Sequence, residues 1–226
     1  MRGNLIFLSS GFFIFFLFVL FSYFVHKDLF TAIDFNTTVR LQDNLSRRFD
    51  GLFSMFSIFG NFEVLLVVLL LTLFFTRKVI FGVVTFFLFG AFHLIEIYGK
   101  TFVSHLPPPQ FMLRTEKPVD FPQFHVRSEY SYPSGHSGRT IFLSVILVYL
   151  VWSNKKLPVF VKRVLTAVIL LFDVVMLVSR VYLGEHWMTD VVGGAMLALG
   201  FAIIAISFYN TEPFLSTLRK MSRKYF

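Results

Sequence analysis

Residues 5–25 read LIFLSSGFFIFFLFVLFSYFV, a stretch that contains no charged side chain. At about 1.5 Å per residue, a helix of this length crosses a hydrocarbon core of about 30 Å. A cleaved signal peptide is the alternative, but its apolar region is usually about 7–15 residues long. No small-residue cleavage site precedes His26 and Lys27 either. The stretch therefore predicts a transmembrane helix.

Further apolar runs of nearly spanning length lie near residues 52–76, 79–98, 136–153, 161–179 and 188–209. Hydrophobic residues make up 56% of the chain and charged residues only 15%, so there is more apolar surface than a soluble core needs. A chain of 226 residues is short enough to form one domain. We therefore expect an all-α, polytopic membrane protein in which residues 1–226 form a single bundle of six transmembrane helices.

The basic residues indicate how such a bundle is oriented. Eleven of them share one predicted side with a single acidic residue, Glu212; they are Arg2, Arg77, Lys78, Lys155, Lys156, Lys162, Arg163, Arg219, Lys220, Arg223 and Lys224. The positive-inside rule places this side, and with it both termini, in the cytoplasm. The net charge of the chain is +8, and its basic residues lie mostly between the apolar runs and not along one basic stripe. This distribution favours anionic lipid headgroups as partners over nucleic acid.

The longest predicted connection, residues 99–135, joins the third and fourth helices on the opposite, extracytoplasmic side. It contains the breaker run Pro107-Pro108-Pro109 and ends in the aromatic sequence Tyr130-Ser131-Tyr132. This composition suits the interface between a bilayer and water. Long ordered loops are usually functional. We therefore expect this loop to lie at the level of the outer headgroups.

A first candidate site lies in residues 179–190, SRVYLGEHWMTD, where the predicted sixth helix begins. His186 and Asp190 are four residues apart, so a helix would bring them to one face. A carboxylate that hydrogen-bonds one ring nitrogen of a histidine makes the other nitrogen a better nucleophile. The pair predicts an activated histidine, although the same pair could serve only as a polar cap.

A second candidate site lies in residues 132–137, YPSGHS, where the predicted fourth helix begins. The free N–H groups and positive dipole end of a helix N-terminus attract anions. Ser134 could cap the helix or bind a phosphate oxygen, Gly135 permits close backbone approach, and His136 could protonate a leaving oxygen. The same residue types are also common in ordinary turns. The predicted topology brings a third element, Lys100, to the same side of the membrane.

In this order and on this helical frame, the runs Pro-Ser-Gly-His and Ser-Arg, five residues, His, three residues, Asp resemble the type 2 phosphatidic acid phosphatase superfamily. The resemblance covers about residues 60–209. It implies a six-helix membrane phosphatase that uses no metal or other cofactor, with His186 attacking phosphorus, Asp190 orienting it and His136 protonating the leaving group. It also implies that the phosphate is held by Lys100, Ser134, Gly135 and Arg180. These roles suit phosphoryl transfer, which depends mainly on positioning and on neutralising the charge of the phosphoryl oxygens.

The chain departs from the family pattern at one point. The family's first motif has a lysine, six residues and then Arg-Pro, but Lys100 is followed at that spacing by Pro107-Pro108. The expected arginine is therefore missing. Either Lys100 and Arg180 suffice without it, or another cation replaces it. Of the candidates Arg114, Arg127 and Arg139, we favour Arg114.

The expected activity is hydrolysis of a lipid-linked phosphate or pyrophosphate. Candidate substrates are undecaprenyl or another polyprenyl pyrophosphate, which is our first choice, phosphatidylglycerophosphate, phosphatidate and a lipid A phosphate. A lipid phosphotransferase of the same family and a non-catalytic lipid-phosphate-binding protein are alternatives, and the oligomeric state is left open. A small channel or transporter is disfavoured because neither broken helices nor paired repeats are visible. The chain has no cysteine and no evident carboxylate-rich magnesium cage.

Overall fold

Helices form most of the computed structural model, which describes residues 2–116 and 129–211, with side chains from residue 4 onward. In these ranges the α-helices are α1 (Arg2–His26), α2 (Thr31–Asn44), α3 (Asp50–Ser57), α4 (Phe62–Thr76), α5 (Val79–Phe102), α6 (Gly135–Ser153), α7 (Val159–Tyr182) and α8 (Met188–Ser207). Short 3-10 turns cover Arg47–Phe49, Ile58–Gly60 and Gln110–Met112. The all-α prediction is thus confirmed for the part of the chain that the structure describes.

Among the described helices, five are long and apolar enough to cross a membrane: α1 from Asn4 onward, α5, α6, α7 and α8. Helix α4 has 15 residues and reaches only about 22 Å at about 1.5 Å per residue, which is too short to span alone. The segments Arg47–Gly60 and Phe62–Thr76 together form a sixth candidate span that is bent by 47°. The predicted polytopic membrane fold is confirmed at five or six spans.

The bend between Gly60 and Phe62 corrects the prediction of one continuous helix over residues 52–76. Asn61 has an extended backbone and is the N-cap residue of α4. A Cβ atom on Gly60 would lie 2.8 Å from the His136 ring, so the chain passes close to this ring at the bend. Apolar composition did not reveal the break because both halves are apolar, although glycine and asparagine are typical of helix ends.

Two further boundaries differ from the prediction. Helix α5 continues to Phe102, beyond the predicted end of the apolar run near residue 98, and Lys100 lies in its last turn. The connection over residues 26–51 contains α2, whose buried residues include Asp34 and Thr38. Ile33 and Phe35 on the same helix are exposed.

Helix α8 is the most buried of the described spans and packs against α1, α5 and α6. Gly194 makes this packing close, because a Cβ atom there would lie 2.2 Å from the carbonyl oxygen of Ser134. The Ser134 N–H group in turn donates to the Asp190 carbonyl oxygen at 2.9 Å. The α6–α8 contact therefore brings the Pro-Ser-Gly-His turn directly onto the start of α8.

Large apolar side chains cover the outside of the bundle; Phe12, Phe13, Phe16, Phe74 and Phe75 are 57–74% exposed. At the end remote from Lys100, the turn before α5 meets the end of α8, where Lys78 Nζ donates to the Tyr209 carbonyl oxygen at 2.8 Å. Some residues of the predicted basic side, namely Glu212, Arg219, Lys220, Arg223 and Lys224, lie outside the described residues, as does Arg127.

Candidate active site

A cavity of about 540 Å³ reaches from the gap between α4 and α5 to the turn before α8. Its polar lining comes from His93, Glu96, Lys100, His136, Arg139, Glu185 and His186, and its apolar lining from Phe62, Leu66, Phe86, Phe89 and Ile97. Along α5 the lining runs from Phe86 to Lys100, about 21 Å at about 1.5 Å per residue. The cavity can therefore hold an anionic group at its polar end and a hydrocarbon chain at its apolar end.

His186 lies in a tight turn between α7 and α8. Gly184 in this turn has a φ of +69°, and a Cβ atom on it would lie 2.3 Å from the Met112 carbonyl oxygen, so glycine is needed there. Helix α8 begins at Met188 with Trp187 as its N-cap residue. His186 therefore precedes the helix, which corrects the prediction that it shares a helical face with Asp190. Even so, His186 Nδ1 is 3.4 Å from Asp190 Oδ2.

Asp190 is fully buried and holds the start of α8 together. Its Oδ2 accepts a hydrogen bond from the Trp187 N–H group at 2.9 Å, as in a capping box. Its Oδ1 accepts from His105 Nδ1 at 2.8 Å. Asp190 thus has firm contacts to the backbone and to His105, and a longer contact to His186.

His105 was missed by the sequence analysis and lies between two carboxylates. Its Nδ1 contacts Asp190, and its Nε2 is 3.6 Å from Asp34 Oδ2. Burial by itself would lower the pKa of His105, but the hydrogen bonds and negative charges of Asp190 and Asp34 outweigh it and raise the pKa to about 9. The His105 ring is therefore protonated at neutral pH and has an N–H group on each side.

The Pro-Ser-Gly-His turn contributes His136 and Gly135 to the cavity. His136 Nε2 is 3.1 Å from the side-chain oxygen of Asn61, a contact that the sequence did not signal. A Cβ atom on Gly135 would lie 2.0 Å from Glu96 Oε1, so the glycine allows this carboxylate to approach the turn. Ser134 is fully buried and caps α6 by accepting from the Ser137 N–H group at 3.5 Å. Within the structure, Ser134 has the capping role and does not line the cavity.

Glu96 gathers two of the site's cations at the end of α5. Its Oε1 accepts from Lys100 Nζ at 2.9 Å, and its Oε2 lies 3.5 Å from Arg139 Nη1. The same Oε2 is 3.0 Å from His93 Nδ1. The carboxylate therefore offsets the repulsion between the two cations while both of them still line the cavity.

Arg180 is fully buried and does not itself line the cavity, but its ion-pair partner Glu185 does. Its Nη1 donates to Glu185 Oε2 at 2.5 Å, and Glu185 lines the cavity. Its Nη2 has no hydrogen-bond partner among the described residues. An unsatisfied guanidinium nitrogen is costly in a buried position, so an anion that reached it would be strongly held.

Arg114 does not line the cavity. Its guanidinium donates to the carbonyl oxygens of Leu45 and Gln42, at 3.4 and 3.0 Å, and lies 5.1 Å from the centre of the Tyr182 ring. These contacts fasten the segment after the 3-10 turn to α2. We expected Arg114 to take the place of the missing arginine, but of the two candidates that the structure describes, Arg139 lines the cavity and Arg114 does not. Which cation replaces the missing arginine stays a prediction, because Arg127 lies outside the described residues.

Metal-ion ligands are not gathered in this site. Within residues 2–116 and 129–211, no three histidine, cysteine, aspartate or glutamate side chains are grouped in a way that could hold a metal ion. The polar end of the cavity is lined by two cations, Lys100 and Arg139, and by histidines, beside the carboxylates of Glu96 and Glu185. The cations suit an anionic ligand.

The family model described as the PAP2 superfamily matches residues 65–214 of this chain. A phosphatidylglycerophosphatase B from Bacillus subtilis is 31% identical over 137 residues, covering 60% of this chain and 61% of that protein. An undecaprenyl-diphosphatase from Sulfolobus acidocaldarius is 27% identical over 190 residues, covering 82% of this chain and 79% of that protein. The chain thus spans less than two thirds of the Bacillus relative.

Two solved structures share the fold. A transmembrane PAP2-type phosphatidylglycerolphosphate phosphatase from Bacillus subtilis superposes with a TM-score of 0.68 over 88% of this chain and 94% of that chain, at 22% identity. The LpxE protein of Aquifex aeolicus superposes with a TM-score of 0.57 over 77% of this chain and 94% of that chain, at 21% identity. The helical frame described above is therefore shared with two solved structures, one of which is a transmembrane protein.

Proposed function

The chain belongs to the PAP2 superfamily of membrane phosphatases, and we propose that it hydrolyses the phosphate or pyrophosphate group of a membrane lipid through a covalent phosphohistidine at His186. The observation that carries this proposal is the cavity, which has His186 and Lys100 at its polar end and Phe86 and Phe89 at its apolar end. A lipid phosphate has the same division between charge and hydrocarbon.

The proposed reaction has two steps. In the first, His186 Nε2 forms a bond to phosphorus while the bond from phosphorus to the lipid oxygen breaks, and His136 gives that oxygen a proton. In the second, water attacks phosphorus while the bond from phosphorus to His186 Nε2 breaks, and His136, which gave up its proton in the first step, accepts a proton from the water. Inorganic phosphate leaves and the His186 ring is free again. The contact between Asp190 and His186 Nδ1 supports the direction of attack, because it leaves Nε2 as the nucleophilic nitrogen.

In this proposal, the cations around the polar end of the cavity bind the phosphate. Lys100 and Arg139 line the cavity and can neutralise the phosphoryl oxygens. Arg180 would join them through the nitrogen that has no partner among the described residues, with Glu185 giving up its bond to make room. The backbone of Gly135 lines the same end, whereas Ser134 would act by capping α6.

The substrate that we propose first is a polyprenyl pyrophosphate, with phosphatidylglycerophosphate as the next candidate. The Sulfolobus relative, named as an undecaprenyl-diphosphatase, aligns over more of this chain than the Bacillus relative does. We also propose that the site faces the extracytoplasmic side, because the basic turns at Arg77–Lys78 and Lys155–Lys156 lie at the other end of the bundle.

The test is phosphate release by the purified protein from a panel of lipid phosphates in EDTA, comparing wild type with His186→Ala. We expect release from at least one polyprenyl pyrophosphate or glycerolipid phosphate, retained in the chelator and lost in the variant. His26→Ala is the matched control, because this histidine lies outside the cavity lining and should leave the rate near wild type. No release from any lipid by wild type would refute the enzymatic proposal, and activity in His186→Ala would remove this residue from its role.

A further inference from the structure

We propose that His105 is a positioning residue for the nucleophile, acting through Asp190 and anchored on its other side by Asp34. The proposal rests on the proposed function of His186. His105 itself does not line the cavity, so it would act without touching the substrate. Its effect would be to fix the carboxylate that orients the attacking ring.

The Asp190 carboxylate is held at both of its oxygen atoms. Its Oδ2 is shared between the Trp187 N–H group at 2.9 Å and His186 Nδ1 at 3.4 Å. Its Oδ1 has His105 at 2.8 Å. Without His105 the fully buried carboxylate would lose its strongest side-chain partner and could turn about its last bond. The orientation of His186 would then no longer be fixed.

Asp34 and Thr189 hold the other side of the His105 ring. Its Nε2 is 3.6 Å from Asp34 Oδ2, and Asp34 accepts hydrogen bonds from both the N–H group and the hydroxyl of Thr189, at 2.9 and 2.7 Å. Asp34 lies on α2 and Thr189 on the first turn of α8. The ring is therefore fixed between two elements that are themselves joined.

The charges around His105 favour its protonated form. Within the described residues, the titratable groups that face His105 are Asp34 on α2, Asp190 on α8 and Tyr132 in the segment before α6, whose ring centre is 6.4 Å away. His26 accepts a hydrogen bond at 3.2 Å from the N–H group of Ser104, the residue before His105. Two carboxylates around one imidazole favour its protonated form, which donates to Asp190 and forms an ion pair with Asp34. A positive His105 would also keep Asp190 ionised, as the orienting role requires.

The experiment uses the full chain in detergent micelles and compares wild type with His105→Phe, His105→Gln and Asp34→Asn. Asp43→Asn is the matched control, because Asp43 is an exposed carboxylate on the same helix as Asp34. Two quantities are measured for each protein: kcat and KM for lipid phosphate release, and the rate at which diethyl pyrocarbonate modifies His186, followed at that residue by mass spectrometry. The second measurement does not require turnover.

We expect His105→Phe to lower kcat by about 10–100-fold, the scale of a small misplacement of a reacting group, with KM within about twofold of wild type. The modification of His186 should slow by a similar factor. His105→Gln should recover part of both rates because its amide can still donate to Asp190. Asp34→Asn should show a smaller loss, and Asp43→Asn should match wild type.

The proposal is overturned if His105→Phe lowers only the melting temperature and leaves both kcat and the modification rate of His186 at wild-type values in folded protein. It is also overturned if KM rises while kcat stays constant, since that result would place His105 in substrate binding. If wild type releases no phosphate from any lipid, the proposed function fails separately. The modification rate of His186 then still decides whether His105 positions it.

Discussion

His186 and His136 line the same cavity but are held by groups of different charge. His186 Nδ1 lies 3.4 Å from the carboxylate of Asp190. His136 instead has the neutral amide of Asn61 at 3.1 Å from Nε2 and the guanidinium of Arg139 at 3.5 Å from Nδ1. A carboxylate stabilises the positive charge that an imidazole gains when it bonds to phosphorus, whereas a guanidinium opposes a positive charge on its neighbour.

This difference indicates how two histidines in one cavity can take different roles. The surroundings of His186 favour attack before any substrate arrives. The surroundings of His136 favour a neutral ring until the negative charge of a bound phosphate offsets Arg139. In the proposed reaction His136 would therefore acquire the proton that it donates only in the substrate complex. Each of the following predictions removes one element of this contrast.

The largest effect is expected from Asp190→Asn, which removes the charge beside His186 but keeps an oxygen that can accept from the Trp187 N–H group. By analogy with other histidine–carboxylate pairs, kcat should fall by about 10⁴-fold. Steady-state phosphate release, with the melting temperature measured in parallel, tests this result. The control Asp43→Asn should stay near wild type, and a loss of less than about tenfold in Asp190→Asn would contradict the orienting role.

The second effect is expected from His136→Ala, and its size should depend on the leaving group. With a lipid substrate, loss of the general acid should lower kcat by about 10²–10⁴-fold. With p-nitrophenyl phosphate the loss should be much smaller, because this leaving group departs without a proton. Equal losses with the two substrates would show that His136 does not protonate the leaving oxygen.

The third effect is a dependence of the free energy of unfolding on pH. It comes from His105, which contacts the carboxylate that orients His186. The pKa of His105 is about 9 in the folded protein, against 6.5 for an ordinary histidine. The resulting stabilisation is complete below about pH 6.5, declines as the pH rises and is gone above about pH 9. The difference corresponds to at most about 3 kcal/mol in the free energy of unfolding, and screening by solvent will reduce it.

The measurement is the melting temperature of wild type and His105→Gln in detergent micelles between pH 6 and pH 10. The gap between the two proteins should narrow as the pH rises through the range from about 6.5 to about 9. A gap that stays constant over this range would mean that His105 carries no charge that depends on folding. His26→Gln provides the comparison for a histidine outside the pair of carboxylates.

The sequence-based prediction was more complete for the proposed chemical residues than for the residues that hold them. His136, His186 and Asp190 stand in short runs with fixed spacing, so local pattern was sufficient to single them out, whereas Lys100 was added because of the predicted topology. The supporting contacts are remote in sequence. His105 and Asp190 are 85 residues apart, and His136 and Asn61 are 75 apart. Spacing carries no signal for such pairs, and only the presence of polar residues next to apolar spans could have drawn attention to them.

In the fold as well, local sequence predicted some features, whereas others depend on contacts between residues that are remote in sequence. Long apolar runs predicted the spans because crossing a bilayer requires length and hydrophobicity, which are properties of composition. The bend at Asn61 and the helix α2 depend instead on what each residue packs against. Arg114 illustrates the same point for the site. Its position in the long loop was compatible with a side chain that points into the site. The backbone carbonyl groups of Leu45 and Gln42 hold it elsewhere.

The smallest effect, and the one that separates the two arginines, is expected from Arg139→Ala beside Arg114→Ala. Removing Arg139 takes a cation from the cavity lining, so KM should rise by about tenfold, the scale of one hydrogen bond to a charged group. Inorganic phosphate should lose inhibitory strength by a similar factor, because the anion alone would contact this guanidinium. Arg114→Ala should leave kcat and KM unchanged and lower only the melting temperature, since its guanidinium bonds backbone carbonyl oxygens. If Arg114→Ala raised KM and Arg139→Ala did not, Arg114 would have the role of the missing arginine. Arg139 would then no longer explain why His136 differs from His186.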